Sequence, residues 1–306
     1  MQLLLSILQQ TELGSDSKRL FHGRGKCYPN FEQVTIDWFS PAIFITLFSE
    51  HSSEFEQELL ATIGHAYPDF VGPLLIQRRY IHGAPVELVR GELPQPHLVQ
   101  EQGLTYQVKL LDGQNNGLFL DMANGRQWVR EHASGRNVLN LFSYSCSFSL
   151  AAMAGGAESV INIDMSHGAL KLGKINHKNN EIALDKVKFF RHDIFKSWGK
   201  LKRYGPYQTI VIDPPSNQVG SFVAAKDYQR LLRKIPELAS EQADILVCLN
   251  SPELGKDFIE QQMGEYAPDC QLIAQVRNPE VFAEIDSNKG LKVFHYRYLG
   301  TKACQA

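Results

Sequence analysis

From residue 137 to residue 249 the chain repeats one pattern: a short apolar run, a turn, then a stretch with helical spacing. The apolar runs cover 137–141, 159–163, 187–191, 209–212 and 245–249. Helical spacing falls at 148–154, 167–179 and 226–238, with a further helix expected at 122–132. Parallel strands need long crossovers, and those are usually helices, so this alternation predicts an α/β, doubly wound parallel sheet. Two strand-like runs at 271–277 and 292–299 break the rhythm. Joined by a long polar connection, they are expected as an antiparallel edge pair.

The first third reads differently. Strands are expected at 34–38, which alternates as a half-buried strand does, and at 42–48, 74–79, 86–89 and 104–110; a helix is expected at 54–63, and Pro94 and Pro96 mark a loop. Residues 1–112 are therefore read as a small α+β domain, a candidate for substrate or RNA contact, and residues 113–306 as the α/β domain that carries the chemistry.

Composition narrows the class. Lys and Arg number 31 against 33 Asp and Glu, so any nucleic-acid contact must come from a local patch. The five cysteines are odd in number and far apart, with no metal-ligand spacing, which fits a reduced, cytoplasmic compartment and no metal. The apolar start at 1–10 lacks a basic lead and a cleavage site, and no run reaches the ~20 residues that cross a bilayer. A soluble protein away from the membrane is expected.

In open α/β sheets, ligands sit beyond the carboxyl ends of the strands. At the first tip, Asn140 to Ser147 contain no glycine, which argues against a dinucleotide pressed onto the helix start. Small polar residues there still admit a cofactor without phosphates. At the second, Asp164 suits ribose hydroxyls, or alternatively caps the helix beginning near Ser166. The third offers Asp193 and the fourth Asp213-Pro214-Pro215-Ser216, where two prolines hold the backbone open beside a carboxylate.

These tips together resemble class I S-adenosylmethionine-dependent methyltransferases, most closely the bacterial 23S rRNA methyltransferases of the RlmI and RlmK/L kind. The carriers are Asn140-Leu141-Phe142-Ser143-Tyr144, Asp164-Met165-Ser166, Asp193-Ile194-Phe195 and Asp213-Pro214-Pro215-Ser216. The lead-in Gly113 to Asp121 is similar to the family's GQxxGxFLD, and Arg126 matches its following arginine. Arg19 to Gly25 and Thr35-Ile36-Asp37 resemble the start of the family's central domain. The resemblance implies a Rossmann-like methyltransferase sheet and S-adenosyl-L-methionine as cofactor. It places Phe119 and Asp121 at the methionine end, with Gln114 and Arg126 shaping the lead-in. Asn140, Phe142, Tyr144 and Ser145 form the cofactor loop. Asp164, followed by Ser166, would hold the ribose, Met165 would pack near the adenine, and Asp193 and Ile194 would contact the adenine. Asp213 to Ser216 face the acceptor. The sequence departs from the family at Cys146-Ser147, where it has Gly-Gly, and at Met122-Ala123, where FLDQR continues. No PUA-type module is expected before the central domain, and a homodimer stays open.

Methylating carbon-5 of a pyrimidine needs a cysteine thiolate. In the carbon-5 cytosine branch that position falls on Ser251, and Cys248 is expected in the core. An acceptor nitrogen on a nucleic-acid base, probed by Asp213 and Asn250, is the preferred reading; a carbon-5 or small-molecule methyltransferase, or a non-catalytic RNA-binding or assembly factor, are the alternatives. RNA contact is expected at residues 171–203, where ten basic residues face three acids. Arg19, Arg24, Arg78 and Arg79 add candidates from the small domain.

Overall fold

The computed structural model describes residues 1–215, 217–218 and 222–300. They form two compact units: Met1–Asp121 with Glu280–Ile285, and Met122–Pro279 with the chain from Asp286 onward.

The first unit opens with helix α1 (Gln2–Gln9), which buries Leu4 and Leu8. Strands β1 (Lys18–His22), β2 (Val34–Phe39) and β3 (Ala42–Leu47), helix α2 (Ser53–Ala66), and strands β4 (Leu74–Arg78) and β5 (Val86–Arg90) follow. The sheet runs in the order β1-β2-β3-β4-β5. Only β3 and β4 pair in parallel, as the α2 crossover between them requires. The Ser52 side chain starts α2 by accepting from the Phe55 N–H at 3.3 Å. Leu4, Leu8, Leu59 and Ile63 pack onto Leu20, Ile36 and Ile45 of the sheet. Strand β2, expected to be half-buried, is buried at every position. Its polar side holds Asp37 against Arg19, and Phe282 of the Glu280–Ile285 segment covers Arg19 at 4.8 Å. A hairpin of β6 (His97–Glu101) and β7 (Leu104–Val108) completes the unit.

The second unit contains α3 (Ala123–Glu131), β8 (Asn137–Leu141), α4 (Ser147–Ala154), β9 (Ser159–Asp164), α5 (His167–Asn179), β10 (Val187–Arg191), α6 (Trp198–Tyr204) and β11 (Tyr207–Ile212). After a ribbon of β12 (Asn217–Gln218) and β13 (Phe222–Val223) come α7 (Ala224–Leu232), α8 (Ile235–Leu238), β14 (Ala239–Leu249), α9 (Lys256–Tyr266), β15 (Cys270–Gln275) and β16 (Lys292–Tyr298). The sheet order is β10-β9-β8-β11-β14-β16-β15. The first five strands are parallel; β16 lies antiparallel beside β14 and β15 antiparallel beside β16. The expected antiparallel edge pair is β15 with β16, β15 outermost and β16 joining it to β14.

Both faces of the central strands are covered, which is why they read as mainly apolar runs. Along β11, Ile210 and Ile212 face a cluster with Tyr228, Leu232, Leu238 and Met263; Val211 faces one with Trp128, Val129 and Phe148. The single helix expected at 226–238 is two, because Pro236 supplies no N–H to continue α7. Among the described residues no helix is long and apolar enough to cross a membrane.

Candidate functional site

At the end of β8 the chain turns into α4 through three non-glycine residues with left-handed backbone: Phe142 (φ 56°), Tyr144 (φ 44°) and Cys146 (φ 60°). Each such residue costs on the order of 1–3 kcal/mol, and strain of this kind persists only where surrounding bonds hold it. Here they do. Ser143 N–H donates to the Ile163 carbonyl at 3.1 Å and Cys146 N–H to the Ser143 carbonyl at 2.7 Å. Tyr144 N–H donates to Asp164 Oδ2 at 2.9 Å. Of the two residues standing where Gly-Gly was expected, Cys146 takes the left-handed backbone and Ser147 begins α4.

Asp164 does two jobs. Its Oδ1 accepts the Ser166 N–H at 2.7 Å, so it shapes the start of α5, while Ser166 Oγ caps that helix by accepting from Ala169 N–H at 3.2 Å. The carboxylate remains half-exposed, and the neighbouring Met165 is 54% exposed. At the tip of β10, Asp193 Oδ1 accepts the Phe195 N–H at 2.9 Å and Oδ2 lies 3.7 Å from Lys196 Nζ; Ile194 is buried beneath.

Asn140 and Ser145 are buried, as is the Arg126 side chain of α3. Asn140 opens a buried relay that residue-by-residue reading missed. Its Nδ2 donates to Asn162 Oδ1, Asn162 Nδ2 donates to Ser149 Oγ, and Ser149 meets His177 Nε2, each at 2.9 Å. His177 Nδ1 lies 2.8 Å from the Gly173 carbonyl and must donate to it. The Ser149 hydroxyl therefore donates to Nε2, and burial holds His177 below its ordinary pKa, in the neutral form the relay needs. A sequence signal existed: Asn140 and Asn162 interrupt two apolar runs at directly paired positions of β8 and β9.

On β11, Asp213 is half-buried and Pro214 buried; Ser216 lies outside the described residues. Tyr228 of α7 donates its hydroxyl to the Cys248 carbonyl, and burial, then the charges near it at Cys248 and Asp213, push its phenol well up. Phe222 bridges the tips, with ring centroids 5.3 Å from Phe142 and 6.5 Å from Phe195. Asn250, just beyond β14, is exposed, whereas the side chain of Cys248 is fully buried in the sheet. Beside Asn250, the buried Lys292 donates to the Ser251 carbonyl at 2.7 Å and the Asn288 carbonyl at 2.6 Å. In the first unit, Gln114 is exposed, Phe119 is 44% exposed and Asp121 stands in the 3-10 turn Leu120–Met122.

The basic residues at 171–203 lie on α5, the edge strand β10, α6 and the segments that join them. Lys171, Lys178, Arg191 and Arg203 are exposed with no carboxylate partner among the described residues, while Lys186, Lys196 and Lys202 are paired with Glu158, Asp193 and Glu237.

Comparison with known proteins accords with this architecture. A family model described as S-adenosylmethionine-dependent methyltransferase matches residues 18–297. YwbD of Bacillus subtilis, assigned as a ribosomal RNA large subunit methyltransferase, is 29% identical over 88% of this chain and 70% of its own length. Ribosomal RNA large subunit methyltransferase I of Yersinia pseudotuberculosis is 31% identical over 66% of this chain, which spans about half (52%) of that relative. Among solved structures, SMU.776, a methyltransferase complexed with SAH, superposes with a TM-score of 0.85 at 25% identity, covering 97% of this chain and 81% of that one. With the strand order, the strained turn and the carboxylate-bearing tips already in place, the match across residues 18–297 settles the family: this chain is an S-adenosylmethionine-dependent methyltransferase.

Proposed function

We propose that the chain methylates a base of large-subunit ribosomal RNA, and does so at a nitrogen. The relatives named for that RNA supply the substrate class. The observation that carries the nitrogen reading is Cys248. Its side chain is 0% exposed and packs with Val211, Leu246 and Val293, where it has no path to a pyrimidine ring. Cys146 is equally buried, and its thiol is pushed far up by burial. An acceptor with its own lone pair needs no such thiolate.

The residues present fit an adenosyl cofactor. Asp164 has one backbone donor on each oxygen, so both keep a lone pair for a diol. The buried Oδ1 of Asn140, near the end of β8, has no donor among the described residues. Asp164 would hold the ribose, Met165 and Ile194 would flank the adenine, and Asp193 would accept from its amino group. S-adenosylmethionine supplies an electrophilic methyl group on a sulfonium. The chain's own contribution is orientation: Asp213 and Asn250 stand on the adjacent tips of β11 and β14, placed to hold the acceptor amine, and Asp213 to take its proton. Positioning of this kind is worth several kcal/mol, up to about 7–11 in well-aligned systems. The unpaired lysines and arginines of α5, β10 and α6 would meet phosphates.

Mass-spectrometric mapping of ribosomal RNA from cells with and without this chain tests the reading. One lost modification, a methyl on a ring or exocyclic nitrogen, is expected. A lost methyl on carbon-5, or unchanged RNA, would refute it.

A further inference from the structure

The first unit holds five arginines in or beside its sheet. Arg90, at the end of β5, donates to the Phe70 carbonyl at 3.0 Å, and the fold treats the other four in two ways. Arg19 forms an ion pair with Asp37, and Arg78 bonds both Glu56 at 2.6 Å and Glu87 at 2.7 Å. Their charges are neutralised within the fold. Arg24 and Arg79 have no carboxylate partner among the described residues. Arg24 Nη1 donates to the amide oxygen of Gln33 at 3.1 Å. Arg79 donates from Nη2 at 2.6 Å and Nε at 3.1 Å to the amide oxygen of Gln114. Neutral amide oxygens orient both guanidinium groups and leave both charges intact.

The two share one platform. The Arg24 guanidinium carbon lies 4.4 Å and that of Arg79 5.6 Å from the centroid of the Phe48 ring. The charges are thus within about one Debye length, roughly 10 Å at 0.1 M salt, and are poorly screened from each other. Burial, and then the charge of Arg24, hold Arg79 below the ordinary arginine range. The ring face offsets part of this repulsion through cation–π attraction. The backbone is fixed too. Arg79 N–H donates to the Leu47 carbonyl at 2.8 Å, and Phe48 N–H to the Gln33 carbonyl at 2.9 Å. Arg24 sits in the turn Gly23–Gly25, where a Cβ on Gly23 would stand 1.8 Å from the Phe31 carbonyl oxygen and one on Gly25 1.9 Å from that of Ala283. Glycine on both sides lets the turn wedge between two backbones, and Arg24 projects from it. Among the described residues Arg24 bonds through Nη1 and Arg79 through Nη2 and Nε, with no partner for Arg24 Nε and Nη2 or Arg79 Nη1.

A pair of like charges held rigid, close together and without a counter-ion is costly unless an anion comes from outside. Guanidinium forks match the two free oxygens of a phosphodiester. We propose that Arg24 and Arg79, braced on Phe48, are a phosphate-binding pair for the backbone of the RNA substrate. This rests on the RNA reading above and assigns that contact to the first unit.

Filter binding of the full chain to a mixed-sequence single-stranded RNA oligonucleotide, over a series of KCl concentrations, tests it. Each phosphate contact contributes about 0.7 to the slope of log affinity against log salt. The slope should fall by about 0.7 in R24Q and in R79Q, and by about 1.4 in the double variant, with unchanged melting temperature as the check on folding. R24K/R79K, which keeps both charges, should retain the wild-type slope. Wild-type binding with an unchanged slope in R24Q/R79Q overturns the pair and leaves the RNA reading standing. A slope lost equally in the lysine pair also overturns it, since charge would not be what the RNA meets. No RNA binding by the wild-type chain overturns both.

Discussion

Tyr144 donates its backbone N–H to the carboxylate of Asp164 at 2.9 Å, so the strained turn after β8 is fastened to the tip of β9 by the residue expected to hold the cofactor's ribose. With the proposed ribose contact at Asp164, cofactor affinity and the shape of the turn would be linked. Asp164→Ala should remove a charge-assisted bond to Tyr144 and another to Ser166, each worth about 1.5–3 kcal/mol at most in a half-exposed setting. Calorimetry should find S-adenosylmethionine binding lost, with a lowered melting temperature. Tight binding in the variant would contradict the ribose assignment.

Behind that turn, the relay from Asn140 to His177 has one direction of donation and no redundancy. Ser149→Ala strips Asn162 of an acceptor and His177 of a donor in a fully buried setting. A loss of about 1–3 kcal/mol for each orphaned group is expected in denaturant unfolding. Ser149→Thr, which keeps the hydroxyl, should recover most of it. Equal stability of Ser149→Ala and the wild type would show that the relay contributes nothing.

Much of this architecture was legible beforehand, and the exceptions share a cause. The runs at 137–141, 167–179 and 187–191 coincide with β8, α5 and β10 because turn residues flank them and their interiors are mainly apolar or helically periodic. Helices α6 and α9 went unread since each offers few buried residues, only Leu201 in the first and Ile259 and Met263 in the second. Their helicity comes from tertiary packing, which short polar sequence does not advertise. The site divides in the same way. Carboxylates at strand ends announce themselves by position, whereas Tyr228 and Lys292 act through backbone carbonyls of distant residues, Cys248 and Ser251, and no local pattern marks such a partner.

Asp213 is the residue proposed to orient the acceptor and accept its proton. Asp213→Asn preserves shape and removes the charge, so kcat should fall by about 10²–10⁴ with little change in S-adenosylmethionine affinity. Single-turnover methyl transfer with saturating cofactor reads this directly. A variant as fast as wild type would leave the proton to solvent.

His22 gives the first unit a pH dependence. Arg19 Nη1 lies 2.6 Å from its Nδ1 and must donate, so the ring is neutral and presents Nε2–H to Glu284 at 3.4 Å. Burial, then the charges of Arg19 and Arg24, lower its pKa from 6.5 to about 3. The unfolded chain binds the proton first, so this contribution is complete above about pH 6.5 and is lost as pH falls towards 3. Asp37 works oppositely: burial raises its pKa despite Arg19, so its contribution is present at low pH and lost as pH rises. Melting curves of His22→Asn should therefore fall less steeply than wild type between pH 6.5 and 4. Parallel curves would exclude the ring as their source.

At the opposite ends of the strands from the site, Asp244 is wholly buried. It accepts from His295 at 2.7 Å, from Arg297 at 2.7 and 3.0 Å, and from Arg136. Burial alone would raise its pKa, but those three donors win and hold it well below the usual carboxylate range. Its stabilisation is present above about pH 4 and is lost as pH falls below that. Asp244→Asn leaves two guanidinium groups without their shared anion and should cost about 3–5 kcal/mol in urea unfolding. A smaller loss would mean that solvent, which reaches both arginines, replaces the carboxylate.

The choice between nitrogen and carbon chemistry comes down to Cys248. Carbon-5 methylation requires a thiolate that can reach the ring, add to it and leave again. Cys248 shares its side of β14 with Leu246, inside a cluster that includes Val211 and Val293, and the Tyr228 hydroxyl on its carbonyl anchors the strand there. Exposing the sulfur would mean turning a central strand over, which moves every neighbouring side chain to the wrong face. Cys248→Ala should therefore retain methyl transfer while losing about 1 kcal/mol of stability to the small cavity left behind. Transfer measured with radiolabelled cofactor, beside a melting curve, separates the two effects: abolished transfer in a variant that melts like wild type would make Cys248 the nucleophile and carbon-5 the acceptor.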